Sequence, residues 1–566
     1  MGTLQQSLEA AREKARAFYH QGRLRDSLAA HDEALSLAPH AVAIRLSAAK
    51  LAHALELQEL SLHHFEEAAR VDPRCYPAIE AARRICVGAG MAVRAAHYAR
   101  LSYAIDPAPD VLLSLQLLVP SIVGSVETIS EFRARYSQIV RQLLASPPRL
   151  EAPKGDLGVS GFFLAYHGEN DCELQVAIAQ LFLKAIPQLQ FTAPHCGGVR
   201  PRNRGKAKVR IGFISRFFAA HSVFSTSIGL IEHLSRQSFE VIVLRITPSR
   251  DDDCTARLRA AVDRVVDLAP DLFAARDQIS ALALDILFYQ DIGMEPISYF
   301  LAFARLAPVQ CVSFGHPNTT GIPTIDYFIS NDLFEPADAD AHYSETLVRL
   351  RDLPTLAYYY EPERPAAAAS ANSFGLPSDA TLYVCPQTLF KLHPDFDSVL
   401  KAILERDSRG IVVLISGQFQ EFTDRLRARF AQTLLEFEQR VVFLPFLKFA
   451  RFMQLLALAD VVLDTLHFNG MNSSLQAFAV GAPIVTLPGR FQRGRHTQAM
   501  YRKMGIFDCI ARDLQDYVDI AVRIGTDRAY AQGLRQQILA RKHVLYEDPS
   551  VLREFERFFL EAFDAC

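Results

Sequence analysis

Four short stretches of this chain gather amide, hydroxyl, imidazole and ammonium groups at the ends of apolar runs. The first is Asp460-Val-Val-Leu-Asp464-Thr465-Leu-His467-Phe468-Asn469-Gly470-Met471-Asn472-Ser473-Ser474, followed by a helix-like stretch and then Gly481 to Gly489. A buried strand that enters a small polar loop, with a helix opening straight out of it, faces the loop with unpaired N–H groups and a positive dipole end. Such an end suits a phosphate, with Asn469, Gly470, Asn472, Ser473 and Ser474 as the candidate ligands. Asn472, Ser473 and Ser474 are equally good helix caps. The second stretch is Gln387-Thr388-Leu-Phe-Lys391-Leu-His393-Pro394, where an ammonium at Lys391, with Thr388 beside it, would neutralise a leaving diphosphate. A lone loop lysine is otherwise simply solvated. The third runs from Arg216 to Ser222, and its His221 is a general base, a phosphate ligand or a cap. The fourth, Gly315-His316-Pro317-Asn318-Thr319-Thr320-Gly321, offers Gly315, His316, Thr319 and Thr320 as an acceptor or sugar rim, or forms a plain turn.

The elements that must carry these loops alternate. Apolar runs at 208–215, 239–246, 285–291, 309–315 and 325–330 are separated by amphipathic helical stretches. After a break at Tyr358 to Pro365, a second set follows at 381–387, 411–417, 440–446, 460–465 and 482–488. Continuous apolar runs bounded by turn residues predict parallel strands covered on both faces. Two such doubly wound halves place a cleft between them, and ligands sit beyond the carboxyl ends of the strands.

The first quarter is different. Pro39, Pro73 and Pro107 stand 34 residues apart, each following a helical run with a small residue (Ala34, Ala68, Ser102) five places earlier. That period is the tetratricopeptide signature, with Phe18 and Phe65 at supporting positions, although the tryptophan and most Leu-Gly positions are missing. Such repeats stack into a superhelix, a peptide-holding arm or a structural cap. The expected domains are 1–145 (repeats), 146–206 (linker and connecting helices), 207–370 (first lobe) and 371–566 (second lobe with C-terminal helices). Linker signals are Ala145 to Gly155 and a basic, glycine-rich stretch from Cys196 to Gly205.

The bulk numbers exclude several classes. With 566 residues, 50% hydrophobic and 22% charged at a net −3, the chain can bury large cores and shows no nucleic-acid or membrane-surface charge. Its nine cysteines form no cluster, which predicts reduced thiols in a cytoplasmic protein. There is no apolar leader, no run long enough to span a bilayer, and Gln6 argues against myristoylation at Gly2. The run Asp251-Asp-Asp253 reads as solvated loop surface, and no metal site is predicted.

Taken together, RIGFIS with His221, GHPNTTGIPTIDY with HYSETLVRL, the Lys391-to-Pro394 segment and ALADVVLDTLHFNG with VGAPIVTLPG carry a family resemblance. The chain resembles the O-linked N-acetylglucosamine transferase and SPINDLY group, glycosyltransferase family 41, in a bacterial form, over about residues 208–545. The resemblance implies an α/β GT-B fold, two Rossmann-like lobes behind a tetratricopeptide arm. It implies inverting, metal-independent transfer without a cofactor, from a nucleotide diphosphate sugar such as UDP-GlcNAc or UDP-Glc to a protein acceptor held by the arm. By the same resemblance Lys391 is the diphosphate lysine, His221 the active-site histidine, and Asn472-Ser473-Ser474 the phosphate turn. Three departures stand out. Gln476 replaces a ribose-binding carboxylate, Met471 replaces a frequent histidine, and no second histidine is found around Asp285. The acceptor atom, a Ser/Thr hydroxyl or an Asn amide, stays open. So do two rival readings: a GT-B enzyme acting on a glycan or lipid, and a non-catalytic scaffold with a degenerate core.

Overall fold

The computed structural model describes residues 2–153, 157, 161–197 and 208–565. Most of the glycine-rich linker signal, 198–205, and the end of the first linker signal, 154–155, lie outside the described residues.

Eight helices open the chain: α1 (Gly2–His20), α2 (Leu24–Leu37), α3 (Val42–Ala54), α4 (Gln58–Val71), α5 (Tyr76–Gly88), α6 (Ala92–Ile105), α7 (Pro109–Gln116) and α8 (Val126–Ala145). α2, α4 and α6 each stop two residues before Pro39, Pro73 or Pro107, because the residue preceding a proline is pushed out of the helical region. Ala34, Ala68 and Ser102 are completely buried, so the small side chain at that repeat position lets successive helices approach closely. Ser27 and Ser61, one period apart, donate to Ala15 O at 2.8 Å and Ala49 O at 3.0 Å, tying each second helix to its partner. The repeat expectation and the helical arm therefore hold.

The first sheet has seven parallel strands: β1 (Val209–Ser215), β2 (Phe239–Ile246), β3 (Arg264–Leu268), β4 (Ile286–Tyr289), β5 (Val309–Val312), β6 (Tyr327–Asn331) and β7 (Thr346–Leu350), in the order β3-β2-β1-β4-β5-β6-β7. The second has five: β8 (Thr381–Cys385), β9 (Gly410–Ile415), β10 (Val441–Leu444), β11 (Val461–Leu463) and β12 (Ile484–Val485), in the order β10-β9-β8-β11-β12. Every ladder in both sheets is parallel. Strand order reverses between β1 and β4 and between β8 and β11. A crevice opens at such a switch point, so the loops after these four strands line the site. β3 and β7 were not among the runs read from the sequence. Both are edge strands whose exposed or half-buried Arg264, Asp267 and Thr346 break the apolar run.

One sequence-based boundary differs from the structure. The last helix, Pro549–Ala565, returns to the first lobe, where Phe559 packs 6.2 Å from Phe239 and 5.9 Å from Phe288 between ring centroids. Residues 371–566 are thus not one packed unit. The segment expected to hold a linker and connecting helices also acts as a keystone. It carries a 3-10 turn, Phe162–His167, and α9 (Cys172–Ala185). Asp171, completely buried, accepts from Arg133 of α8 at 2.8 Å and from Asn318 of the first lobe at 3.0 Å, with Arg493 of the second lobe at 3.4 Å. One carboxylate therefore joins the arm and both lobes.

The arm also reaches both sheets directly. Arg94 pairs with Glu421 at 3.5 Å and Arg429 donates to Val123 O at 3.0 Å. In the turn between α3 and α4, Glu56 lies 3.5 Å from Arg250, past the end of β2. Glu59 accepts from Gln420 N at 3.3 Å, past the end of β9. The arm thus touches the carboxyl-end rims of the two sheets, the side on which the crevice opens. Among the described residues no helix is long and apolar enough to cross a membrane.

Candidate active site

The loops after β8 and β11 meet. Lys391 ends a 3-10 turn, Leu389–Lys391, in which Thr388 accepts the Lys391 backbone N–H at 2.9 Å while remaining exposed. The Lys391 ammonium donates to Gln387 Oε1 at 3.0 Å and to Asn469 O at 3.2 Å, and stands 4.7 Å above the Phe468 ring. Gln387 in turn donates from Nε2 to Ser473 Oγ at 2.7 Å. The lysine and the Asn469–Ser474 loop are therefore one hydrogen-bonded unit. Gly470 is required within it: a Cβ there would stand 2.4 Å from both Gln387 Nε2 and Ser473 Oγ.

The helix Asn472–Ala479 opens out of this loop with Met471 before it and no side chain capping its first turn. Asn472, Ser473 and Ser474 were candidate caps, but none serves. Ser474 instead donates back to Gly470 O at 3.0 Å. No side chain takes the first N–H groups, which leaves them available to an anion. Asp464, at the end of β11, braces the loop by accepting from Gly470 N at 2.8 Å and Thr486 Oγ1 at 2.9 Å. Burial lifts its carboxyl to about 6. Among the described residues, Asn469 Oδ1, Asn472 Oδ1 and both ring nitrogens of the buried His496 lack partners. Native interiors seldom tolerate such groups, and a bound ligand is one way to satisfy them.

Burial pushes the Lys391 ammonium down to about 8, against the opposing pull of Asp464. The charged form is the one that can stabilise a diphosphate. Efficiency at low donor concentration should therefore fall as pH rises through about 8, with the limb moving upward in the donor complex. A pH–rate profile of kcat/KM and kcat reads this, and a Lys391→Arg variant should lose the limb. The linkage has the opposite sign for stability. The folded chain binds fewer protons than the unfolded one between about 8 and lysine's ordinary ~10.4, so the lysine's cost to folding is full below that window and is relieved as pH rises through it.

In the first lobe, His221 follows β1 and caps the helix Ser222–His233, its Nδ1 accepting the Val223 N–H at 3.2 Å. That bond places the ring proton on Nε2. The ring stacks on Phe217 at 4.5 Å, and burial lowers it to about 4, so it is neutral at pH 7. As arranged, His221 offers a donor rather than a lone pair, which favours orienting a sugar or phosphate over accepting a proton. Its loop is fixed by Asp252, which accepts from Ala220 N at 2.8 Å and caps the helix Asp253–Ala261. The acidic run is thus not wholly solvated surface: Asp252 is structural and Asp251 pairs with Arg245 at 2.7 Å.

The fourth loop lines a cavity with His316, Thr319 and Thr320, and its hydroxyls are already engaged. Thr319 donates to Glu345 Oε2 at 2.7 Å, and the Thr320 hydroxyl and N–H both go to Glu345 Oε1. Both threonines are buried and serve a buried carboxylate, so they are not free rim hydroxyls. His316 is also buried, stacked 4.6 Å from Phe162 and lowered to about 3 by desolvation. Gly315 is glycine because a Cβ would fall 1.7 Å from Gln290 O. Gln476 is half-buried beside the Tyr359 hydroxyl, an amide in place of the expected carboxylate.

Residues that the sequence did not single out are Gln387 as the lysine's acceptor, Asp464 as the loop's brace, His496, Arg493, and a cluster of His393, Asp395 and His467. Only the last had a local signal, the His-x-Asp spacing at 393–395. The others depend on contacts between distant segments.

Two parallel Rossmann-like lobes facing across a crevice, with an ammonium and a helix start at the second switch point, are the architecture of the GT-B fold. The family model for Glycosyl transferase family 41 matches residues 179–356 and 360–547, and the chain belongs to that family. The probable UDP-N-acetylglucosamine–peptide N-acetylglucosaminyltransferase SPINDLY of Arabidopsis thaliana is 28% identical over 340 residues, 58% of this chain and 36% of that protein. The probable enzyme of the same activity named SEC, also from Arabidopsis thaliana, is 23% identical over 383 residues, 66% of this chain and 38% of that protein. The chain spans little more than a third of the length of these curated relatives. Among solved structures, a mutant Thermobaculum terrenum O-GlcNAc transferase superposes with a TM-score of 0.68 at 22% identity, covering 99% of this chain and 98% of that one, a likeness of fold.

Proposed function

We propose that this protein is a protein glycosyltransferase that moves a hexose, such as N-acetylglucosamine, from a UDP-linked sugar to a Ser/Thr or Asn side chain of a protein acceptor. The observation that carries the reading is that the Lys391 ammonium and the uncapped start of the helix Asn472–Ala479 are joined in one hydrogen-bonded unit. Family membership and the curated relatives' printed activity, UDP-N-acetylglucosamine–peptide transfer, support the donor and acceptor classes.

The acceptor enters over the crevice rim that the α3–α4 turn of the arm touches, between the arm and the first lobe. Its side chain attacks the anomeric carbon from the face opposite the nucleotide, which inverts the configuration. Charge builds on the leaving diphosphate, where Lys391 and the helix N–H groups stabilise it more than they stabilise the ground state. His221 Nε2–H holds a sugar or phosphate oxygen. Gln476 supplies a neutral amide to the ribose hydroxyls, a weaker acceptor than the ionised carboxylate. The reaction needs no resident cofactor, and the eight described cysteines are all free thiols, in keeping with a cytoplasmic site.

The test is transfer of label from UDP-sugars to co-expressed protein, followed by mapping of the modified residue. Labelled Ser, Thr or Asn supports the reading. Label appearing only in glycan or lipid moves the acceptor to another class.

A further inference from the structure

Next to the donor pocket lies a cluster that the transfer mechanism does not use. His467 Nε2 is 3.0 Å from Asp395 Oδ2, and His393 Nδ1 is 3.3 Å from the same oxygen. The three ligand-type atoms all lie within 4.8 Å of one another. Ligands at ~2.0–2.1 Å from a tetrahedral zinc ion stand roughly 3.3 Å apart. The two edges that meet at Asp395 are therefore already spaced as coordination requires, and the two histidine nitrogens stand no more than 4.8 Å apart.

We propose that His393, Asp395 and His467 form a binding site for one transition-metal dication of the zinc class. Two imidazoles and one carboxylate favour zinc, cobalt or nickel over calcium and magnesium, which prefer all-oxygen shells. The Asp395 side chain is 36% exposed and that of His467 30%, so water completes the shell. His393 is buried at the floor. A second observation points the same way: His467 is held at φ 64°, a left-handed conformation that a histidine adopts at a cost and that recurs at ligand sites. Its ring is pressed against Gly168, where a Cβ would fall 2.9 Å from the imidazole, so the keystone segment also fixes the ring's direction. The competing bond in the metal-free chain is weak: Asp395 N donates to His393 Nδ1 at 3.3 Å.

The cation would clamp together the two loops that hold the lysine. His393 lies two residues beyond Lys391, and His467 two residues before Asn469, whose carbonyl accepts from the ammonium. The metal is a positioning element and touches neither sugar nor phosphate. Its binding does not depend on the proposed transfer; only its effect on turnover does.

The test uses the full chain stripped of metal by a chelator and titrated with Co²⁺, whose visible absorption reports imidazole and carboxylate ligation. One equivalent should bind saturably and be displaced by Zn²⁺. Asp395→Asn and His467→Gln should each weaken binding by at least the about 10–100-fold that loss of a mere supporting residue costs. Lys391→Ala should keep the site, which separates failure of this proposal from failure of the transferase reading. Thermal unfolding of the metal-free variants checks that they fold, and Zn²⁺ should raise the midpoint of wild type but not of either variant. Absence of a saturable band in wild type, or unchanged affinity in both folded variants, would leave the cluster as hydrogen bonds between the histidines and Asp395 and overturn the proposal.

Discussion

Lys391→Ala lowers kcat about 10²–10³-fold, ~2.7–4 kcal/mol of transition-state stabilisation, and leaves the protein folded. The ammonium is placed for this by groups that bind it weakly. Gln387 Oε1 and Asn469 O accept from it, and the Phe468 ring lies beneath it, but among the described residues no carboxylate neutralises it in a contact ion pair. A charge left so little compensated in a buried setting is free to act on a diphosphate. Its removal orphans two acceptors, which costs about 1–3 kcal/mol each only if water does not replace the donor. That loss is offset by relief of the desolvated charge. The expected signature is therefore a large loss of kcat at saturating donor, read by nucleotide release, with a melting midpoint close to that of wild type. Near-normal kcat would remove Lys391 from the mechanism.

Arg493→Ala destabilises the folded protein by about 3 kcal/mol, the lower end for breaking a buried charge pair. The guanidinium is almost completely buried and donates to Ala165 O at 2.8 Å and Glu169 O at 2.6 Å, with Asn318 Oδ1 at 3.5 Å and Asp171 at 3.4 Å. It crosses from the second lobe to the keystone segment and the first lobe. Asp171 keeps Arg133 at 2.8 Å after the change, which is why the cost stays at the lower end. Chemical denaturation should show the lost free energy. Asp171→Asn in the same background should add less than the sum of the two single changes, because the sites share partners. An additive double mutant would mean that the two residues act separately.

The legible part of this molecule was whatever short-range pattern dictates. Buried parallel strands declare themselves as apolar runs, so ten of the twelve strands were read within a few residues, and the helical arm followed from prolines at a fixed period. β3 and β7 escaped because an edge strand need not be apolar on both faces. Lys391 and the Asn469–Ser474 turn could be picked out because each follows a strand end, where chemistry in this architecture must lie. The roles of Thr319 and Thr320 could not, since the buried Glu345 that takes their hydroxyls lies on a later segment. For the same reason nothing local to Asp171, at the start of a connecting helix, shows that it binds three parts of the chain. His221 was placed correctly at a strand end, yet its role turns on one backbone N–H, that of Val223, which fixes the tautomer.

The central claim is that the pocket between Lys391 and the helix Asn472–Ala479 holds the diphosphate of a nucleotide sugar. The most direct measurement is the shift in melting midpoint with UDP-, GDP- and CMP-sugars for wild type and Lys391→Ala. A ligand at 100 times its Kd adds about 2.7 kcal/mol to the folded state. The account predicts a clear rise with UDP-sugars for wild type and a much smaller one for the variant. No rise with any nucleotide sugar, or an equal rise in both proteins, would contradict it.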